Sequence, residues 1–332
     1  MSLRHYFYLT LFLIGAEALC ILLARSAGLF DKPNERSAHQ NETIVRAGGF
    51  VFYLAAMVAV GSGEANRLYF GLGLTASMIV SFWDDVSPVP KRFRLTIHVL
   101  SVGLLLMQER DVLTSWCFIA GLLVLGVGIV NAYNFMDGIN GMTAFYSLVT
   151  VATLWFWQAR LLKETDNLFS CLFIALLIFS YVNARRQAIC FAGDVGSITM
   201  GISILYGLME IIHQSHTYLP ILFLSVYGVD TGTTIAYRLY LRQNIFRAHR
   251  LHLFQLLVHQ GRWPHLRVSA LYALMQAGIN ILVIRAVNWS LWSQFVLAGS
   301  VLGSLMMASV WVRNKVSETK EVGFEKPTSR YL

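Results

Sequence analysis

The chain has 332 residues, 56% of them hydrophobic and only 13% charged. Ordinary soluble domains carry about 25% charged residues, so this balance excludes one and points to an integral membrane protein. The net charge of +8 is spread along the chain rather than gathered on one soluble surface, which argues against nucleic acid as a partner.

Apolar runs close to the roughly 17–25 residues that span a bilayer recur from end to end. The first predicted span covers about 6–24, behind Arg4. It shows no convincing small-residue cleavage site, so it is expected to stay as a span. Glu17 inside it needs no more than a neighbour to pair with. The loop that follows holds Arg36-Ser37-Ala38-His39 and Arg46-Ala47-Gly48-Gly49. Such a loop could hold a lipid phosphate or simply fix topology.

Two short spans follow, about 48–62 and 68–83, the second ending in Trp83-Asp84-Asp85. Adjacent carboxylates repel one another and favour a nearby cation. They suit a divalent metal with oxygen ligands, a metal ligand beside a general base, or merely a solvated helix end. Pro88, Pro90, Lys91, Arg92 and Arg94 come next. Acid pair plus basic cluster is what a metal-bridged phosphate site requires.

Spans at about 95–109 and 112–130 lead into Asn131-Ala132-Tyr133-Asn134-Phe135-Met136-Asp137-Gly138-Ile139-Asn140-Gly141. Polar groups are costly in a membrane protein, so a cluster of them marks function or a hydrogen-bonded knot between helices. If helical, Asn131 and Asn134 are i,i+3 neighbours, as are Asn134 and Asp137. Amides can read a base or sugar edge, and a carboxylate can bind metal or a sugar hydroxyl.

Spans at about 141–159 and 168–183 precede Phe191-Ala192-Gly193-Asp194-Val195-Gly196-Ser197. Asp194 could cap a helix or ligate a metal in a loop that approaches phosphate. Spans at about 198–213 and 218–240 follow, and Asp230 in the latter should face the bundle interior or an aqueous cavity. Arg247-Ala248-His249-Arg250-Leu251-His252 then offers a cationic phosphate cradle, zinc being the weaker alternative without a nearby cysteine. The last spans, about 266–286 and 291–312, are followed by a polar tail from Arg313, expected to be partly disordered and without catalytic duty. Cys20, Cys117, Cys171 and Cys190 lack zinc spacing and read as packing residues.

With eleven spans the termini lie on opposite sides. Arg4, Arg67, Arg110, Arg160, Lys163 and Arg285 fall with the N-terminus, and the other 20 of the 26 Lys and Arg fall with the C-terminus. The C-terminus is therefore expected in the cytoplasm and the N-terminus in the periplasm. The expected fold is an all-α polytopic bundle of about eleven transmembrane helices. It forms one domain over 1–312, with 313–332 as a cytoplasmic tail. Asp84, Asp85, Asp137 and Asp194 all fall on the cytoplasmic face.

Asp84-Asp85, the NAYNFMDGING stretch, FAGDVGS and AHRLHLFQ stand in the order found in the polyprenyl-phosphate N-acetylhexosamine-1-phosphate transferases, which the chain resembles from about residue 25 to 260. RSAH with RAGG is similar to that family's RSSH…PRGGG segment, and Val229-Asp230-Thr231 with Arg238 to its DT…R pattern. Three departures stand out. Asn140 replaces the second acid of DGIDG, Val45 replaces a proline, and the three-histidine run of the muramyl-pentapeptide branch is missing. HRLH followed by LFQ is closer to the O-antigen-initiating branch.

The resemblance implies transfer of N-acetylhexosamine-1-phosphate from a UDP-N-acetylhexosamine to undecaprenyl phosphate, with release of UMP and a requirement for Mg²⁺ or Mn²⁺. It implies that Asp84 and Asp85 are catalytic, Asp84 deprotonating or orienting the lipid phosphate. Asp194 is the main metal ligand, helped by Asp85. Asn131, Asn134 and Asp137 hold the nucleotide-sugar, and Lys91, His249, Arg250 and His252 bind phosphates, with Arg46 and Asp230 among the substrate-binding residues. The expected setting is a bacterial inner membrane with the site facing the cytoplasm. The expected partners are both substrates, the bilayer, and a second copy of the chain in a homodimer. The alternatives are a muramyl-pentapeptide phosphotransferase and, in a different class, an ion-coupled transporter. A transporter would hold its acids near the midplane between repeated halves.

Overall fold

The computed structural model describes residues 1–31, 44–46, 48–62, 67–108, 115–162, 167–245 and 249–324, with side chains to 316 in the last helix. The Arg36–His39 segment, Arg247 and Ala248 lie outside the described residues.

Twelve α-helices carry the described chain: α1 (Leu3–Ser26), α2 (Phe50–Gly61), α3 (Leu68–Val86), α4 (Lys91–Gln108), α5 (Trp116–Met136), α6 (Met142–Trp157), α7 (Asn167–Asn183), α8 (Gly193–Ser215), α9 (Ser225–Tyr240), α10 (Leu253–His259), α11 (His265–Ala286) and α12 (Leu291–Phe324). A π-helical turn at Gln158–Leu162 extends α6, and a 3₁₀ stretch at Leu219–Leu224, with Pro220 near its start, leads into α9. Each of the eleven predicted spans falls on a helix. Six helical segments are long and apolar enough to cross a membrane: Leu3–Ser26, Trp116–Met136, Gly193–Ser215, Leu219–Tyr240, His265–Ala286 and Leu291–Val316. The chain is an all-α membrane protein. The helix on the second predicted span is too short to cross. α2 has 12 residues, which at about 1.5 Å per residue falls well short of a bilayer core of roughly 30 Å.

α8 is the axis of the bundle. Of its most apolar stretch 83% is buried inside the protein, against 6% for Leu291–Val316, which leaves α12 facing outward. The burial of α8 follows from its small residues, which let neighbouring backbones approach closely. A Cβ added at Gly196 would lie 2.5 Å from the Cα of Gly49, and one at Gly207 would lie 2.1 Å from the Phe169 ring.

Three features were not expected from sequence. β1 (Phe30–Asp31) pairs antiparallel with β2 (Ile44–Val45), Phe30 opposite Val45. The chain from β2 onward then zips along residues 189–192: Phe191 N donates to Val45 O at 2.9 Å, Gly48 N to Phe191 O at 3.1 Å and Gly49 N to Ala192 O at 3.1 Å. Val45 N also donates to Ile189 O at 3.4 Å, a bond that proline could not make. This zipper carries Arg46 to the start of α8. Second, α10 is a seven-residue helix inside what read as a basic loop. Third, α12 continues through Arg313 to Phe324, so Arg313 belongs to a helix rather than to a tail.

Candidate active site

The ends of α3, α5 and α8 meet at one end of the bundle, and a single arginine joins the acids Asp84 of α3 and Asp194 of α8. Asp84 lies in the last turn of α3. Its Oδ1 accepts from Val89 N at 2.8 Å, and Pro88 and Pro90 on either side restrict the turn that presents this donor. Arg94, in the first turns of α4, donates through Nη1 to Asp84 Oδ2 and places Nη2 2.7 Å from Asp194 Oδ2. Asn134, in the last turn of α5, donates through Nδ2 to Asp194 Oδ1 at 2.9 Å and to Ser197 Oγ at 3.1 Å. Two neighbouring helices, α4 and α5, thus hold the Asp194 carboxylate of α8, one at each oxygen.

Asp85 is placed differently. Its Oδ1 accepts from Asp194 N and its Oδ2 from Val195 N, both at 3.3 Å. It caps the first turn of α8 from outside, satisfying N–H groups that a helix start leaves unpaired. This is why α8 starts at Gly193, about a turn before the predicted span. Gly193 has φ +68, and a Cβ there would lie 2.8 Å from Asp85 Oδ2. The position therefore requires glycine for both conformation and space. Arg46 Nη1 lies 4.0 Å from Asp85 Oδ1, while its Nε donates to Asp31 Oδ1 at 2.9 Å. Side-chain exposure separates the two acids: 24% for Asp194 and 5% for Asp85. Asp194 is the more open to a ligand.

Asp137 follows the end of α5 and accepts from Thr143 Oγ1 at 2.6 Å. Removal from water pushes its carboxyl up to about 7, and the charge of Asp194 adds to the rise; the Thr143 bond and the Gly193 backbone pull the other way. The turn continues through Gly141, whose φ of +80 starts α6. Asn140 has a structural task here. Its Nδ2 donates to Arg185 O at 2.8 Å and Arg186 O at 3.0 Å, and its carbonyl accepts from Ser269 Oγ at 2.8 Å. An aspartate could not donate either of the first two bonds, so the departure from DGIDG fits a tie to the end of α7.

Asn131 donates back to Val127 O at 2.8 Å within its own helix, whereas Asn134 reaches Asp194. Lys91 is exposed at the first position of α4. Three residues on, Arg94 turns inward on the face of α4 that also carries buried His98, Ser101 and Leu105. That i, i+4, i+7 stripe is the signal that distinguishes Arg94 from its basic neighbours. Asp31 is the second residue that motif reading passed over, and its partner Arg46 reveals it.

The histidine loop lies beside the Asp137 turn. The His252 ring is 6.1 Å from that of Phe135, and a Cβ on Gly138 would lie 3.1 Å from the Phe254 ring. The His249 and His252 rings are 4.9 Å apart. His252 is buried, and its Nδ1 lies 3.4 Å from Asp230 Oδ1. Asp230 itself is 2% exposed and accepts from Leu253 N, Phe254 N and Tyr272 Oη. It faces the bundle interior, as expected, and acts on the loop rather than on open solvent.

The oxygen donors suit a hard cation such as Mg²⁺, which binds through one or two carboxylates plus substrate phosphates rather than in an all-protein cage. Among the described residues no group of three His, Cys, Asp or Glu side chains forms such a cage. Asp194, the more exposed of the two acids, offers such a partial site once Arg94 turns from its Oδ2 to substrate phosphate.

Residues 67–212 match the family model described as glycosyl transferase family 4. The chain is 26% identical over 282 residues to an undecaprenyl-phosphate alpha-N-acetylglucosaminyl 1-phosphate transferase of Escherichia coli O157:H7, covering 77% of this chain and 75% of that protein. It is 25% identical over 272 residues to a probable undecaprenyl-phosphate N-acetylglucosaminyl 1-phosphate transferase of Bacillus subtilis, covering 75% of each. A phospho-N-acetylmuramoyl-pentapeptide-transferase of Thermotoga neapolitana is 24% identical over 254 residues, covering 68% of this chain and 79% of that protein. Asp84, Asn134, Asp137 and Asp194 all lie within the matched segment and meet at one end of a membrane bundle.

Proposed function

We propose that this protein transfers N-acetylhexosamine-1-phosphate from a UDP-sugar to undecaprenyl phosphate, starting assembly of an O-antigen or other cell-envelope polysaccharide. The observation that carries the reading is the Asp84–Arg94–Asp194–Asn134 network at the shared end of α3, α4, α5 and α8. A fixed guanidinium between two carboxylates, at the end of a membrane bundle, suits a reaction between two phosphates.

An oxygen of the acceptor phosphate attacks the sugar-bearing phosphorus of the donor. A new P–O–P bridge forms, and the bond between that phosphorus and the old bridging oxygen breaks, the oxygen leaving with UMP. Such transfers rest chiefly on positioning and on stabilising charge. Asp84 orients the acceptor phosphate or takes its proton. Arg94 holds donor phosphate oxygens bidentately in place of its carboxylate partners. Asn131, Asn134 and Asp137 hold the nucleotide-sugar, and Lys91, His249, Arg250 and His252 supply cationic contacts, with Arg46 and Asp230 supporting them. Mg²⁺ or Mn²⁺, when bound, would be held by Asp194 with Asp85, neutralising the donor diphosphate and the departing UMP. The site faces the cytoplasm of a bacterial inner membrane, in keeping with the excess of Lys and Arg on that side of an eleven-span chain. A second copy of the chain in a homodimer is compatible with this layout.

The relatives favour UDP-N-acetylglucosamine as donor, and the Thermotoga relative keeps a muramyl-pentapeptide donor as the second reading. A donor panel decides between them. Label from UDP-N-acetylglucosamine should enter the lipid fraction in the presence of undecaprenyl phosphate and Mg²⁺. Label entering only from UDP-muramyl-pentapeptide would replace the first reading with the second.

A further inference from the structure

We propose that Arg313, from the outward-facing last helix, is a positioning residue that fixes the histidine loop for donor binding. The inference rests on the reading of that loop as a donor-phosphate contact.

Three side chains on one face of α9 secure residues 243–245 and 251–254. Asp230, Thr234 and Arg238 are spaced i, i+4, i+8, and all are buried. Arg238 holds the near end, donating from Nη1 to Ile245 O at 3.0 Å, from Nη2 to Asn244 O at 2.6 Å and from Nε to Gln243 Oε1 at 3.4 Å. Asp230 holds the far end by accepting from Leu253 N at 2.8 Å and Phe254 N at 3.4 Å. Between these anchors the segment 249–252 has neither helix nor ladder of its own.

Arg313 supplies the middle anchor. Its Nη1 donates to Leu251 O at 2.6 Å, and its Nη2 donates to Thr234 Oγ1 at 2.6 Å. Leu251 N in turn donates to His249 Nδ1 at 3.3 Å. One residue of the loop is thus gripped from α12 on one side and sets the ring of His249 on the other. The Arg313 side chain is only 10% exposed, lies 3.9 Å from Asp230 and sits over the Tyr237 ring at 5.6 Å. Both terminal nitrogens point into the protein, so it acts through the loop rather than by touching a phosphate. A guanidinium is suited to this task because its planar fork reaches two acceptors at once. Displacing a loop of this kind by about 1 Å is enough to weaken a bound geometry strongly.

The test is steady-state kinetics on purified protein in detergent, varying UDP-N-acetylglucosamine and undecaprenyl phosphate separately. Arg313→Ala should raise the donor KM by roughly tenfold while leaving the acceptor KM within about twofold. Arg313→Lys should recover part of the loss. Combining Arg313→Ala with His249→Ala should be no worse than His249→Ala alone, within about twofold, because the two act through one unit. If Arg313→Ala does not fold, Arg313→Lys and Arg313→Gln carry the same comparison. Equal rises in both KM values, or fully multiplicative effects with His249→Ala, would overturn the proposal. An unchanged donor KM in His249→Ala would remove the loop reading and the proposal together. A raised donor KM there but an unchanged one in the Arg313 variants would remove the proposal alone.

Discussion

Arg94 Nη2 lies 2.7 Å from Asp194 Oδ2 while the same guanidinium binds Asp84, so the two acids on α3 and α8 share one counter-ion. Removing it leaves two neighbouring carboxylates without that charge between them. Arg94→Met should lower kcat by about a hundredfold, the scale of losing one charge-stabilising donor. Arg94→Lys should fall between, having charge without the fork. The Arg94 side chain is 22% exposed, so the melting temperature should change less than the rate does. Initial rates of UMP release and a thermal melt in detergent measure both.

The Asn140 side chain donates two hydrogen bonds to carbonyls just past α7, and its backbone carbonyl accepts one from Ser269 of α11. Asn140→Asp restores the DGIDG spelling yet removes both donors and turns carboxylate oxygens toward two carbonyls. It should destabilise the protein by about 2–3 kcal/mol, read as a lower melting temperature with a smaller fractional loss of kcat. Equal stability and higher activity would show that the second acid can act here.

Gly193 combines a φ of +68 with a near contact to Asp85. Gly193→Ala forces a left-handed alanine, costing roughly 1–2 kcal/mol, and pushes the Asp85 cap off α8. Turnover should fall by at least about tenfold, because the Asp194 side chain is carried by the same turn. The rate at saturating Mg²⁺ checks this, since a loss of metal affinity alone would be recovered there.

Asp137 titrates near neutral pH because burial raises it to about 7. As an acceptor for a sugar hydroxyl it acts in its ionised form. The donor kcat/KM should therefore rise with pH through about 7 and fall as pH drops below it. Asp137→Asn should lower the plateau and flatten this limb. A limb that persists unchanged in Asp137→Asn would assign the titration to another group.

Much of the fold was legible because apolar runs of membrane length leave little choice but helix, and each predicted span falls on one. The four motifs were equally legible as polarity placed at span ends. What spacing alone did not give was which of several neighbours turns inward. Asn131 and Asn134 are one turn apart, yet Asn131 folds onto Val127 while Asn134 finds Asp194, because only Asn134 reaches the start of α8. Lys91 and Arg94 carry the same charge; sharing a helix face with His98, Ser101 and Leu105 sets Arg94 apart, but only tertiary packing reports that it bridges the two acids. The two-residue β1–β2 ladder and the seven-residue α10 are too short to carry a period. Arg313 looked like the first residue of a tail because its partners, Leu251 and Thr234, lie 62 and 79 residues away in sequence.

The most direct measurement is UMP release by purified protein given UDP-N-acetylglucosamine and Mg²⁺, with and without undecaprenyl phosphate, beside Asp194→Ala. UMP should appear only when the lipid phosphate is present, and chelation or Asp194→Ala should abolish it. No UMP from any UDP-N-acetylhexosamine, or near-normal release by Asp194→Ala, would contradict the proposed transfer.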